Sequence, residues 1–253
     1  MGNTSSSIIL NTSSEIWCML KLNNIIYNDV NLNLVAIGFE DKKIIIVNLL
    51  RMEIHQVLNT DATVYSLTQF KNDSKYLICS LSDGKLILYI FKGNKYQIHH
   101  TLKKPENLDK GEINKVITLS DGNLATAERG AISIWKPILD IEEKKFEFLK
   151  EIITDYDTCQ LLEVNPNFLA CAMYSPKQIN VYKKNVDGYL LLGEITNAES
   201  HGNNSNGMAK INDKLFCSGG KNNIINIVLV EPVQIIKKII LGELNYQYIK
   251  VFT

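Results

Sequence analysis

Cys79, Cys171 and Cys217 recur in near-identical settings (LICS, LACA and LFCS), and repeated thiols are the first residues of this chain that invite a chemical reading. A structural zinc site needs about four converging Cys or His ligands, usually with a Cys-x-x-Cys pair that lets one turn supply two of them. No such pair occurs among the five cysteines, and these three lie far apart, each inside an apolar run. Small apolar neighbours suit buried thiols. A sparse, odd count in a chain of 253 residues fits free thiols in a reducing, cytoplasmic compartment, not a disulfide scaffold. His99 and His100 are adjacent, so in a strand they face opposite sides and cannot chelate together. His55 and His201 are isolated, and no metal is expected.

Other reactive patterns fail on spacing. The run SGGKNN at 218–223 looks like a phosphate-cradling loop, but it lacks the Gly-x-x-x-x-Gly-Lys-Ser/Thr spacing. It leads into strand-like sequence and not into a helix whose N-terminus would hold an anion. Neither a Gly-x-Ser-x-Gly elbow nor a paired-carboxylate motif appears, so the chain reads as a non-enzyme without a cofactor. Twenty-seven basic residues balance 27 acidic ones, which leaves no long-range field to gather nucleic acid or an acidic membrane surface. Lysines 92, 95, 103, 104, 110 and 115 gather locally, but Glu106, Asp109 and Glu112 dilute them into ordinary mixed surface. Apolar runs stop well short of the roughly 20 residues that a membrane helix needs. The opening MGNTSS fits the N-myristoylation pattern with Gly2 as acceptor, yet one acyl chain without a polybasic segment anchors only marginally.

The elements that must position any site are visible as a repeat. IIIV (44–47), LILY (86–89), ISIW (132–135), INVY (179–182) and INIV (225–228) place Val47, Tyr89, Trp135, Tyr182 and Val228 at separations of 42, 46, 47 and 46 residues. A small-residue apolar segment precedes each: LVAIG, LICS, LATA, LACA and LFCSG. Turn-forming stretches such as LSDGK, ERGA and GGKNN join the two into hairpins. An earlier strand (IWCMLKL, VYSLTQF, INKVITL, CQLLEV, GMAKI) and a later, more variable one (EIHQVL, KYQIHHTL, KKFEFLKEI, GYLLLGEI, VQIIKKIIL) complete a unit of four. Four antiparallel strands in every 40–45 residues or so is the signature of a β-propeller blade. Inner strands such as LILYIF are continuously apolar, as a sheet covered on both faces requires. In that geometry the three recurring cysteines point the same way around a ring and never converge.

On these segments the chain resembles the WD-repeat proteins over residues 15–253. In that family the third strand ends in Trp-Asp, and Trp135-Lys136 stands at that place. Tyr89-Ile90, Tyr182-Lys183, Val47-Asn48 and Val228-Leu229 replace the dipeptide elsewhere. No Gly-His pair precedes a first strand, and the tight-turn aspartate survives at Asp41 and Asp83 only. The family's Asp-His-Ser/Thr-Trp hydrogen-bond network is therefore not expected in full in any blade. Trp135 and Tyr182 are expected to pack between blades as large core aromatics.

The resemblance implies an all-β, WD-repeat-like propeller with five four-stranded blades at about 15–60, 61–108, 109–154, 155–200 and 201–243. YQYIKVF, in a partial blade at 244–253, supplies the first strand of a sixth, and residues 1–14 form an N-terminal tail or a closing strand. Two closures stay open: part of a seven-bladed ring, or a smaller ring whose terminal strands share a blade, with the exposed edges of a lone strand favouring the fragment. The resemblance further implies a non-catalytic scaffold for protein–protein interaction in a multiprotein complex, with proteins or peptides as partners. Alternatives are a substrate-recruiting subunit of a ubiquitin ligase or trafficking complex, and a propeller enzyme with its active site at the channel mouth. The family binds through the loops leading into the first strand and those joining the second to the third. Here they place the partner-binding candidates at Phe39, Glu40, Asp61, Tyr65, Glu112, Asn114, Asp155, Tyr156, Tyr174 and Lys177, with the tyrosines as anchors.

Overall fold

A computed structural model describes residues 13–71, 73–102, 104–105, 108, 111–139, 144–174, 178–196, 205–220 and 224–241. Gly2, Lys177, the strand expected at 246–252 and most of the 1–14 tail lie outside the described residues. The described strands form five antiparallel four-stranded sheets, each in simple up-and-down order. The first sheet holds β1 (Ile16–Tyr27), β2 (Val30–Phe39), β3 (Lys43–Asn48) and β4 (Glu53–Asn59), and the second β5 (Val64–Gln69), β6 (Tyr76–Leu81), β7 (Leu86–Lys92) and β8 (Lys95–Leu102). The third holds β9 (Ile113–Thr118), β10 (Leu124–Glu128), β11 (Ala131–Leu139) and β12 (Lys144–Ile153). The fourth holds β13 (Thr158–Asn165), β14 (Phe168–Met173), β15 (Ile179–Asn185) and β16 (Gly188–Ile195), and the fifth β17 (Ser205–Lys210), β18 (Leu215–Gly220), β19 (Ile224–Val230) and β20 (Val233–Ile240). The all-β architecture of five four-stranded blades is thus present. No described helix is long and apolar enough to cross a membrane.

Local chemistry sets the hairpins. Asn28 and Asp29 have φ of 47° and 62°, and Gly93 and Asn94 of 59° and 69°. Two successive left-handed residues make the turn whose twist matches the flanking strands, and Gly, Asn and Asp are the residues that tolerate it.

The chain falls into two compact units, residues 1–103 and 104–253. In the first, Ala36, Ile44 and Ile46 of blade one share a core with Leu77, Cys79 and Tyr89 of blade two. There β1 and β2 lie against β5, while the outer strands β4 and β8 meet. In the second unit, Ile132 and Ile134 of blade three pack with Cys171 and Tyr182 of blade four. Ala170 and Val181 of blade four pack with Phe216 and Val228 of blade five. First strand lies beside first strand and β16 meets β20, so each unit is radially ordered. Because alternate residues of one strand point to opposite faces, β15 serves two neighbours at once, with Val181 toward blade five and Tyr182 toward blade three. That double duty is why the inner strands read as unbroken apolar runs.

Two irregularities recur in all five sheets. The pairing of third with fourth strand skips one fourth-strand residue directly beside each repeat mark: His55 beside Val47, His99 beside Tyr89, Leu149 beside Trp135, Leu192 beside Tyr182 and Ile236 beside Val228. The pairing of first with second strand skips one residue near the start of the first strand: Trp17, Tyr65, Asn114, Cys159 and Asn206. Such bulges increase local twist and re-aim side chains.

Candidate functional site

The bulge near the start of each first strand frees one residue from the ladder at the leading end of the blade. In the first unit those residues are Trp17 and Tyr65, whose ring centroids lie 5.1 Å apart at a tilt of 52°. Trp17 is 43% exposed, although Trp is highly buried on average. Backbone stitching holds the surrounding loops in place. The Glu40 amide donates to the Glu15 carbonyl (3.0 Å), and the Thr63 hydroxyl donates to the Glu40 carbonyl (3.0 Å). The Ser82 amide donates to the Thr63 carbonyl (3.0 Å), and the Thr60 amide to that of Lys42 (2.8 Å). The start of β1, the β2–β3 turn, the start of β5 and the β6–β7 turn therefore form one continuous surface.

That surface is acidic. It carries Glu15, Glu40, Asp41, Asp61 and Asp83 against Lys42, Lys43 and Lys85. Lys43 pairs with Asp41, and Lys85 with Asp83 at 2.6 Å. Hydrogen bonding to Asp83, then its charge, holds the Lys85 ammonium above the usual lysine range. Glu15, Glu40 and Asp61 are exposed, and Asp61 meets Lys85 only at 3.8 Å. Of the residues expected here from sequence, Glu40, Asp61 and Tyr65 come together. Phe39 does not: it is 0% exposed and belongs to the core with Ile37, Ile45 and Val47. As the last residue of β2 it follows the strand's alternation inward, and the exposed turn begins one residue later, at Glu40.

In the second unit, Glu112, Asp155, Tyr156 and Tyr174 are exposed at the same end of their blades. The Tyr174 amide donates to the Asp157 carbonyl (2.9 Å), and the Thr154 hydroxyl to that of Tyr156 (2.8 Å), which brings both tyrosines to the leading end of blade four. Asn114 is half-buried, and its amide nitrogen donates to the Thr158 carbonyl (2.8 Å). It stitches blade three to blade four, so its side chain is spent on structure.

The densest group of charges is internal. Lys104, 3% exposed, donates to Glu128 (2.6 Å, 1% exposed) and Glu151 (2.8 Å, 10% exposed). The Thr126 hydroxyl donates to the other Glu128 oxygen (2.6 Å), and the Trp135 indole nitrogen donates to the Thr126 hydroxyl (3.2 Å). Trp135 also meets Phe148 edge-on at 5.8 Å. Blade three thus builds a buried relay in which the indole of β11 reaches a lysine–glutamate cluster through the Thr126 hydroxyl of β10. Lys104 is accordingly not the surface charge that its sequence neighbourhood suggests. Blade four has a shorter counterpart in which Gln178 donates to Asn180 (2.6 Å) and Asn180 to the Tyr182 hydroxyl (3.3 Å). Burial pushes the Tyr182 hydroxyl up to about 12 and raises the Cys79 and Cys171 thiols. Such inert thiols suit core packing, not reactivity. Among the described residues no three His, Cys, Asp or Glu side chains are placed to hold a metal.

Trp17 is the residue that sequence reasoning missed. The only signal was its place in the period, since Trp17, Tyr65, Asn114, Cys159 and Asn206 are spaced by 48, 49, 45 and 47 residues.

Solved structures resemble the chain as a whole. U3-55K matches at a TM-score of 0.68 with 11% identity, covering 89% of this chain and 66% of its own. The WD40 β-propeller domain of Doa1 matches at 0.65 with 13% identity, covering 91% of this chain and 70% of its own. The fold is a WD40-type β-propeller. At such identities the likeness establishes the fold, and the chain spans just under two thirds of the length of U3-55K. No family model matches the sequence, and no curated protein does.

Proposed function

We propose that the chain is a non-catalytic, WD-repeat-like scaffold that mediates protein–protein interaction within a multiprotein complex in the cytoplasm, gripping partner segments at the leading end of its blades. The observation that carries this reading is the pairing of the exposed Trp17 with the half-buried Tyr65, each at a bulge at the same place in two adjacent blades. Large aromatics with modest rotamer entropy are the residues that dominate interface energies. Tyr156 and Tyr174 extend the same chemistry to blade four.

The test is affinity capture with quantitative mass spectrometry on the full chain and two variants. Replacing both Trp17 and Tyr65 by Ala is expected to deplete the captured partners about tenfold or more, as loss of a hot spot does. Ile98→Ser, an exposed outer-strand position of the same unit, should leave them unchanged. An identical partner set in all three samples refutes the proposal, provided that thermal melts show the variants folded.

A further inference from the structure

We infer that the Trp17–Tyr65 surface receives a lysine or arginine side chain from a basic partner segment. The inference rests on the reading of that surface as a partner-binding site and adds the chemistry of what it takes. Three observations meet here.

The first is the aromatic geometry. The two rings meet at a tilt and not face to face, so the indole, 43% exposed, keeps area open to a ligand. Aromatic faces attract cations through their quadrupole, and Trp does so best.

The second is the supply of carboxylates. Glu15 and Glu40 are joined through backbone hydrogen bonding at the start of β1, beside Trp17. Asp61 stands four residues before Tyr65 with its side chain 85% exposed. The ammonium groups of Lys43 and Lys85 are already engaged by Asp41 and Asp83, which leaves Glu15, Glu40 and Asp61 against Lys42 as the exposed cation among the described residues of this surface. An acidic segment or a phosphate would be repelled at short range by this excess, whereas a guanidinium or ammonium would find an aromatic face and a carboxylate together.

The third is the zero net charge of the whole chain. Attraction is therefore local, read at contact and not by long-range steering, and it should discriminate between partner side chains more than it accelerates encounter.

The probe is a short amidated peptide alternating arginine and leucine, compared with counterparts in which glutamine or glutamate replaces arginine. Trp17 reports binding directly, because the other tryptophan, Trp135, is buried and supplies a constant background. The arginine peptide is expected to shift the emission and to bind about tenfold tighter than the glutamine one, the size of a partly desolvated cation–π contact with a carboxylate nearby. The glutamate peptide should bind weakest. Glu40→Lys with Asp61→Lys, both exposed positions, should reverse that order. Trp17→Phe should keep the preference in calorimetry while losing the fluorescence signal. Equal binding of all three peptides, an order that survives charge reversal, or no response to any peptide overturns the inference. Partner capture that still depends on Trp17 and Tyr65 would then leave the surface standing without its cation preference, whereas the failure of that reading shows as capture indifferent to both rings.

Discussion

Replacing Lys104 by Met should be among the most damaging single changes in this chain. The side chain is nearly inaccessible, and its ammonium lies 2.6 Å from Glu128 and 2.8 Å from Glu151. Removing it takes their shared cation from two carboxylates close together, one of them fully buried. Deleting one partner of a buried ion pair costs about 3–5 kcal/mol, most of it the penalty of the stranded charge. That is a factor of more than about 100 in the folding equilibrium. The reasoning makes a sharper claim through a double-mutant cycle. Glu128→Gln removes one carboxylate but can still accept the Thr126 hydroxyl through its amide oxygen, and Glu151, at the rim of the cluster, can turn toward water. The double variant should therefore be less destabilised than the sum of the singles, by about 1–3 kcal/mol of coupling. Urea denaturation followed by tryptophan emission measures this in a Trp17→Phe background, where Trp135 is the remaining indole and reaches Glu128 through two hydrogen bonds by way of Thr126. Following Trp135 confines the readout to its own unit, which matters because two compact units need not unfold together. A cost below about 1 kcal/mol for Lys104→Met, or strict additivity in the cycle, would refute the idea that these charges depend on one another in the interior.

Other perturbations follow from single contacts. An ideal Cβ on Gly38 would lie 2.5 Å from the Cys18 sulfur and 2.6 Å from a Val64 methyl, so Gly38→Ala should cost about 1–3 kcal/mol by overpacking blade one against blade two, measured as a lowered urea midpoint of the far-UV signal. Burial raises the Asp121 carboxyl, but hydrogen bonds from Lys184 and Asn123 outweigh it and hold the acid below the usual carboxylate range. A depressed native carboxyl stabilises above the unfolded value near 3.9 and loses that contribution as pH falls through the lower native value. Wild type should accordingly lose stability in that acid window, and Asp121→Asn should show a shallower loss in urea midpoints taken across it; equal slopes would refute the assignment. Both polar atoms of Asn226 are buried without a hydrogen-bond partner among the described residues, so Asn226→Val should raise stability by about 1–3 kcal/mol. The same change at Asn180, which serves Gln178 and Tyr182, should lower it, and thermal melts of the two variants compare them directly.

The blades could be read from sequence because strand pattern and turn chemistry repeat, and an error in one unit is corrected by the other four. LVAIG, LICS, LATA, LACA and LFCSG all lie in second strands, and the repeat marks all lie in third strands. Side-chain fates at the edges of strands were harder to read, because alternation carries inward until the last paired residue. Phe39 and Glu40 are neighbours with opposite fates for that reason. Bulges were invisible, since skipping one residue in a ladder needs no particular amino acid, and Trp, Tyr, Asn and Cys all occupy the first-strand bulge. Trp17 sits at such a bulge, and nothing in IWCMLKL announces its exposure. Lys104 was hidden differently. It precedes β9 among other lysines, and its two glutamates come from β10 and β12, so only the folded blade puts them together.

The bulges also explain how the repeat can be so degenerate and still form blades. At the repeat mark the side chain varies from Val47 to Trp135, yet the fourth strand skips a residue beside it in every sheet. What recurs is a backbone register that twists the outer half of the blade, and the side chain at the mark fills whatever space its own neighbours leave. Where the filling is Trp135, the Thr126 hydroxyl accepts from its indole nitrogen and in turn donates to Glu128 of the ion cluster. Where it is Tyr182, Asn180 donates to the phenol. In blade five the mark is Val228, which offers no such acceptor, and Asn226, the counterpart of Asn180 two residues before it, is left with a buried amide that has no partner among the described residues. The orphaned asparagine is thus the expected result of exchanging one half of a polar pair while the twisted register beneath it stays fixed.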